Sequence, residues 1–390
     1  MIDLRATARA KNFYVLGPSG EGKTFLVITW LIDMFADGYS ISITDIKGNE
    51  FTAFTDACGG KVISMRPDST SYINTFKIMK DGVSEGEPPE HYFKENVRLS
   101  KTILTVTANV NDDKSSKVSA LMEEFLEAMY LQLGVSANNP NTWKRTEILT
   151  PTKVFEYFKK YISEDIKKVY ADILDDVLIA FGTYLDPSGS GSYLFSDEFV
   201  IEELINTRVI TFDYGLLDKN RIIDPVTLEL KQIFAKLITD SFIRSNKNKK
   251  LHTVRILEES QMTTKSQKRM YAEEMSLRRS QNQINIMLGN SIAALKNDTD
   301  SAIILDNINI WVLGRLTRSN MKYLTEEYSL DDYEEQMEEI NKNSNLDRTF
   351  LVINKLHRNT TSAMLKAFVP NSVVKGRIFK IVDSSKDEGV

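Results

Sequence analysis

The 390-residue chain holds a single cysteine, so no internal disulfide can form and a cysteine-rich zinc site is excluded. Its histidines (His91, His252, His357) are too few and too scattered for a histidine metal cluster. Glycine (18) and proline (9) are both scarce, so most of the chain is expected in regular elements. Long apolar runs are lacking as well. The most apolar stretch, 25–35 (FLVITWLIDMF), is too short to span a bilayer and carries Asp33. The first residues, MIDLRATARAKNF, have charges and no apolar signal-peptide core, which gives the chain a cytoplasmic character. Neither charge dominates: 49 basic against 54 acidic residues give a formal charge of −5. That balance argues against a surface basic all over, while leaving room for a local basic stripe. What remains, 42% hydrophobic and 26% charged, is ordinary for a soluble globular protein and excludes a disordered chain or a coiled coil. At about 150 residues per domain, the length fits two or three domains.

Order along the chain is informative. Residues 12–16 (NFYVL) read as a buried strand that stops at Gly17. Residues 24–36 follow as a helix, with Gly38 as its left-handed stop. Residues 40–44 (SISIT) and 61–65 (KVISM) read as further strands, and this alternation implies a parallel sheet with covering helices. The strand at 12–16 comes so early that the chain reads as a fragment of something longer. A Gly/Pro/acid loop at 81–90 opens a mostly helical stretch. There, Leu121, Phe125, Met129 and Leu133 share one helical face, and Thr150-Pro151 looks like an N-cap with a first-turn proline. The flexible loop 186–192 (DPSGSGS) closes it. Strand signals resume at 208–212, 252–257, 284–288, 308–313, 349–353 and 377–382, with a helix over 226–244. The expected organisation is an α/β domain in two parts, 1–84 and 196–390, interrupted by an all-helical insertion at 85–195.

Gly17-Pro18-Ser19-Gly20-Glu21-Gly22-Lys23-Thr24 satisfies G-x-x-x-x-G-K-[ST] between a predicted strand and a predicted helix. Glycines let the backbone wrap phosphates so that amide groups point at the oxygens. Lys23 would reach the β and γ phosphates of ATP, and Thr24 would offer its hydroxyl to Mg²⁺. Such a site needs a carboxylate for Mg²⁺ and a base for water. The strand at 252–257 ends in Glu258-Glu259, giving Glu258 as the metal carboxylate and Glu259 as the general base. Asp45 and Asp213, each at the end of another strand, are rival carboxylates.

Arg278-Arg279 precede the strand at 284–288. They fit either a finger reaching a neighbouring subunit's γ-phosphate or a solvated helix end. Asn290, just beyond that strand, could sense the γ-phosphate or cap the next helix. Lys265, Lys268, Arg269 and the run 244–250 are basic clusters that could track a nucleic-acid backbone, although such runs are more often solvated faces. Cys58 and the tryptophans at 30, 143 and 311 read as packing residues.

Taken together, these segments resemble the ATPase domain of the conjugative type IV secretion ATPases (VirB-four, TraC or TraE type) of the HerA–FtsK superfamily. The resemblance runs through the P-loop, ITDIKGNEF (43–51), GGKVISMRPDSTSYINTF (59–76), YLFSDEFVIEELINTRVITFDYGLL (193–217), LEES (257–260) and LRRSQNQINIMLGNS (277–291). It implies a RecA-like motor that is often hexameric and powers apparatus assembly or substrate transfer. By position, Lys23 and Thr24 bind phosphate and metal, Glu258-Glu259 stand where the family has Asp-Glu, and Arg278 or Arg279 is the finger. Asn290 stands in place of the family's glutamine. The large N-terminal domain that the resemblance implies is expected to be missing from this sequence. Other secretion subunits are the implied partners, with DNA contact open and attachment at the inner face of the cell membrane through partners or that missing domain. Two rival readings remain: a DNA-translocating or DNA-packaging motor of the same superfamily, and a nucleotide-binding scaffold with weak turnover.

Overall fold

The structure is a computed structural model. It describes residues 11–67, 74–78, 83, 88–108, 112–195, 207–215, 224–249, 251–277, 283–292, 299–342, 348–355 and 361–366. Its strands are β1 (Lys11–Leu16), β2 (Ser40–Asp45), β3 (Lys61–Ser64), β4 (Val209–Asp213), β5 (Thr253–Leu257), β6 (Gln283–Gly289), β7 (Ile310–Leu313), β8 (Thr349–Asn354) and β9 (Thr361–Lys366). The helices are α1 (Lys23–Ala36), α2 (Thr52–Ala57), α3 (Pro89–Thr107), α4 (Ser115–Gln132), α5 (Pro151–Tyr161), α6 (Glu164–Tyr184), α7 (Pro225–Asn248), α8 (Lys265–Leu277), α9 (Thr299–Asp306), α10 (Arg318–Tyr328) and α11 (Glu334–Lys342). The strand expected at 377–382 lies outside the described residues, and β9 was not expected.

The chain divides into two compact units. The first comprises Met1–Ile63, Leu204–Lys219 and Ser245–Val390, and the second Ser64–Glu203 and Asn220–Arg244. The stretch 85–195 lies within the second unit, which also takes in the greater part of α7.

In the first unit the strands join one sheet in the order β3-β4-β2-β5-β6-β1-β7-β8-β9. From β4 to β7 all neighbours run parallel, whereas β8 and β9 are antiparallel additions at one edge. Side chains alternate across a strand, so each central strand feeds two cores. Phe13, Val15, Ile286, Leu288 and Val312 pack with Leu26, Val27 and Leu31 of α1 on one face. Tyr14, Leu16, Met287, Trp311 and Leu313 pack on the other with Tyr271 and Ala272 of α8, Ile304 of α9 and Leu324 of α10. Fully parallel pairing around β1 explains why its sequence reads as a continuous apolar run and not as an alternation.

The second unit is held by aromatic packing on helical faces. Phe125 of α4 meets Phe158 of α5 edge-on at 5.1 Å, and Phe158 meets Phe181 of α6 at 5.0 Å. Helix α4 stops at Gly134, whose φ of 66° supplies the left-handed turn. Helix α5 opens as its sequence predicts, with the Thr150 hydroxyl accepting from the Lys153 amide at 3.2 Å.

Parallel strands bring their carboxyl ends to one edge of the sheet, where ligand sites of such folds lie. Leu16, Leu288–Gly289 and Leu313 are in register at that edge, and the antiparallel β8 starts there, with Leu351 opposite Leu313.

Candidate active site

The loop from Gly17 to Thr24 leaves β1 at this edge. Its amide at Gly17 donates to the Gly289 carbonyl (3.3 Å), while Gly314 donates to the Leu16 carbonyl (2.8 Å), so β6 and β7 fix the loop's root from both sides. Gly20 and Gly22 sit at φ 85° and 84°, a left-handed backbone that side-chain-bearing residues rarely adopt. Gly22 caps α1 without any side-chain hydrogen bond, and α1 has no acid in its first turn. The helix's leading amides therefore have no intrahelical acceptor and form a positive dipole end, the arrangement an anion needs.

Lys23 is the hub. Its Nζ donates to the carbonyls of Gly17 (2.7 Å) and Pro18 (2.8 Å) and to Asn290 Oδ1 (2.7 Å). Burial and the neighbouring Lys47 charge lower its pKa to about 8, against opposing pulls from Glu259, Glu50 and Glu258. Asn290 turns its amide nitrogen to Glu259, at 3.0 and 3.3 Å from the two carboxylate oxygens. Lys23 and Glu259 are thus joined through one side chain. Glu259 sits in a left-handed backbone (φ 47°) and is 5% exposed. Gln261 and Lys47 also donate to it.

Thr24 lies on the acid side of the loop. Its hydroxyl donates to Glu50 Oε2 at 2.7 Å, and Glu50 shares a side-chain hydrogen bond with Glu258. Burial, then the charges of Asp45 and Glu50, drive the Glu258 pKa well above the usual carboxylate range. Burial would raise Glu50 too, but hydrogen bonds from Glu258 and Thr24 and the charges of Lys47 and Lys23 bring it below its ordinary value. Lys47 Nζ lies 3.4 Å from Glu258 and 3.6 Å from Glu50, and its pKa is raised because these acids outweigh the cost of burial. A hydroxyl beside one or two carboxylates is a donor set that suits Mg²⁺, which prefers few protein ligands supplemented by phosphate oxygens and water. Among the described residues no larger cluster of His, Cys, Asp or Glu has metal-holding geometry.

The structure therefore brings together Lys23, Thr24, Glu258, Glu259 and Asn290. The rival acids sit differently. Both Asp45 oxygens are taken by backbone amides, of Gly48 at 2.7 Å and Phe51 at 3.1 Å, so Asp45 holds the turn after β2. Burial raises its pKa to about 6, partly offset by these bonds and one from Glu258. Asp213 accepts from the Gly215 amide (2.9 Å) at the end of β4, which β2, β5 and β6 separate from β1. Arg278 and Arg279 lie outside the described residues.

Sequence reasoning missed Lys47 and Glu50, although both stand in the quoted segment 43–51. The available signal was the K-G-N-E turn directly after a parallel strand. Gly48 (φ 88°) and Asn49 (φ 68°) reverse the chain there and bring Glu50 back to Thr24. Two arginines at the loop's other flank were missed as well. Arg315, just after β7, pairs with Glu21 at 3.3 Å. The Arg348 side chain packs 3.5 Å from where a Cβ on Gly22 would stand.

The glycine-rich loop after β1, the mostly parallel sheet and the acids at its carboxyl edge define an α/β P-loop fold. Among solved structures the chain is similar to VirB4 of Thermoanaerobacter pseudethanolicus, with a TM-score of 0.71 and 16% identity over 95% of this chain and 93% of that one. It is also similar to the plasmid coupling protein TrwB. In the TrwB complex with ADP and Mg²⁺ the TM-score is 0.58 and the identity 13%, over 95% of this chain and 89% of that one. In the complex with a non-hydrolysable ATP analogue the TM-score is 0.59 and the identity again 13%, over 93% and 86%. No protein-family model matches the chain, and no curated protein does. At these identities the likeness is one of fold. Among the described residues no helix is long and apolar enough to cross a membrane.

Proposed function

We propose that this chain hydrolyses ATP with Mg²⁺ and that the hydrolysis powers a type IV secretion or conjugation apparatus, in its assembly or in substrate transfer. The observation that carries the enzymatic part is the continuous line Lys23–Asn290–Glu259, with Thr24, Glu50 and Glu258 beside it. A lysine suited to phosphate and a carboxylate that can take a proton are held a single side chain apart.

In this reading the amides from Gly17 to Thr24 cradle the phosphates and Lys23 binds the β and γ groups. Thr24 and Glu258 would hold Mg²⁺, with Glu50 bonded to both. The metal would supply charge neutralisation at the β and γ oxygens. Glu259 orients a water and takes its proton as the water oxygen bonds to the γ-phosphorus in line with the departing oxygen. The bond to the β,γ-bridging oxygen breaks, and ADP and phosphate leave. Asn290, touching both Lys23 and Glu259, reports whether the γ-phosphate is present. Arg278 or Arg279 would complete the site of a neighbouring subunit in a self-associated ring.

The secretion role is supported by the likeness to VirB4 over nearly the whole chain. Other secretion subunits are the proposed partners, at the inner face of the cell membrane. ATP turnover measured against protein concentration, with and without DNA, tests the reading. Turnover that needs Mg²⁺ and rises as subunits associate supports it. Strong stimulation by DNA moves the function to a DNA-translocating motor, and nucleotide binding without turnover at any concentration leaves a scaffold.

A further inference from the structure

The site has a direction. Among the described residues, the groups suited to the γ-phosphate end, Glu258 and Glu259 after β5 and Asn290 after β6, lie on one side of β1. A nucleotide is a linear ligand, so its nucleoside must leave the phosphate loop on the other side, toward β7 and β8. That flank carries Arg315 and Arg348. Arg315 is engaged with Glu21 of the loop itself. Arg348 immediately precedes β8, whose antiparallel direction puts its start at the ligand edge. Its Cγ and Cδ lie 3.5 and 3.6 Å from the Cβ position of Gly22, and its guanidinium carbon is 6.0 Å from the centre of the Phe25 ring. Gly22 and Phe25 bracket Lys23 and Thr24 at the start of α1. The backbone of Arg348 is left-handed at φ 56°, a conformation that costs an arginine energy.

We propose that Arg348 is the nucleoside-binding residue of this site, its planar guanidinium stacking on the base of the bound nucleotide with Phe25 behind it. Arginine suits this role because its flat, weakly hydrated cation stacks on π-faces, which the compact ammonium of lysine does not do. The assignment rests on the phosphate-loop reading and adds the end of the ligand that the loop does not touch.

Calorimetric titration of the full chain with Mg-ADP and with Mg-tripolyphosphate, which has no nucleoside, separates the two. Arg348→Gly removes the side chain and suits the left-handed backbone, so its melting temperature should not fall below that of the wild type. It should weaken Mg-ADP binding about tenfold and leave tripolyphosphate within about twofold. Arg348→Lys keeps the charge, loses the plane, and should also weaken Mg-ADP. Equal loss for both ligands in Arg348→Gly, unchanged Mg-ADP affinity in that variant, or full Mg-ADP affinity in Arg348→Lys would each overturn the stacking role. If the wild type binds tripolyphosphate but gains nothing from the nucleoside, this proposal falls while the phosphate loop stands. If it binds neither, the phosphate-loop reading falls and takes this proposal with it.

Discussion

Lys47 is the least expected member of the site, and replacing it gives a sharp test of the geometry. Its ammonium contacts Glu259 and stands 3.4 Å from Glu258 and 3.6 Å from Glu50. Lys47 is 25% exposed, but Glu258 and Glu259 are only 2% and 5% exposed, so water screens the acids poorly. One charge pair at such a distance is worth about 4–5 kcal/mol at an effective dielectric constant near 20. Lys47→Met removes that compensation and leaves buried acids facing one another. Proton uptake by one of them relieves part of the strain, so the net loss should be about 2–4 kcal/mol. A control in the same unit is the pair Lys322–Glu326, at 3.6 Å with both side chains well exposed (69% and 60%). Lys322→Met should lie within about 0.5 kcal/mol of wild type, because exposed pairs contribute little. Urea unfolding followed by tryptophan fluorescence compares the two, and Mg-ADP should recover part of the Lys47→Met loss by bringing in another cation. If both variants shift the midpoint equally little, the acids are solvated and Lys47 does not hold a buried cluster.

Glu50→Gln should weaken the Mg²⁺ dependence of nucleotide binding about as much as Glu258→Ala does, whereas Asp45→Asn should lower stability without that signature; titration calorimetry at graded Mg²⁺ reads this. Gly289→Ala places a methyl 2.5 Å from the Tyr14 hydroxyl and 2.8 Å from Ser260 Oγ, two groups joined by a buried 2.8 Å hydrogen bond. Overpacking there should cost about 1–3 kcal/mol and should also slow turnover, because Ser260 and Asn290 adjoin it; a stable, fully active variant would contradict the packing. With the Lys23 pKa lowered to about 8, phosphate binding must drive protonation of this lysine above that pH. Affinity for ADP without Mg²⁺, which leaves out Glu258 and its raised pKa, should therefore hold steady just below pH 8 and fall by up to about tenfold per pH unit above it. A flat profile between pH 7 and 9.5 would show Lys23 to be charged throughout.

What the sequence made legible was local or periodic. The phosphate loop is contiguous, so its eight residues can be read without a fold. The nearness of Glu258 and Glu259 to Lys23 was legible because parallel strands bring their carboxyl ends to one edge of the sheet. Leu121, Phe125 and Met129 were legible from helical spacing, and all are buried. Asp45 stood as a rival carboxylate because the tight turn whose amides bond both its oxygens leaves no simple pattern. The same turn hid Lys47 and Glu50, since their approach depends on two successive positive-φ residues, Gly48 and Asn49. Arg348 was invisible for a different reason. An arginine at the start of a strand faces away from the ligand edge in a parallel sheet, and only the antiparallel direction of β8 puts it there. Strand β9 (TSAMLK) has weak strand propensity of its own and exists through pairing with β8 at the sheet's edge.

The central claim is that Glu259, tied through Asn290 to the phosphate-binding Lys23, is the base of a working ATPase. Steady-state ATP hydrolysis in Mg²⁺ by the wild type and by Glu259→Gln, with Mg-ADP affinity measured on both, tests it most directly. The wild type should turn over ATP, the variant should be slower by about 10²–10⁴-fold, and the two should bind Mg-ADP with equal affinity. A Glu259→Gln protein that hydrolyses ATP at the wild-type rate would contradict it.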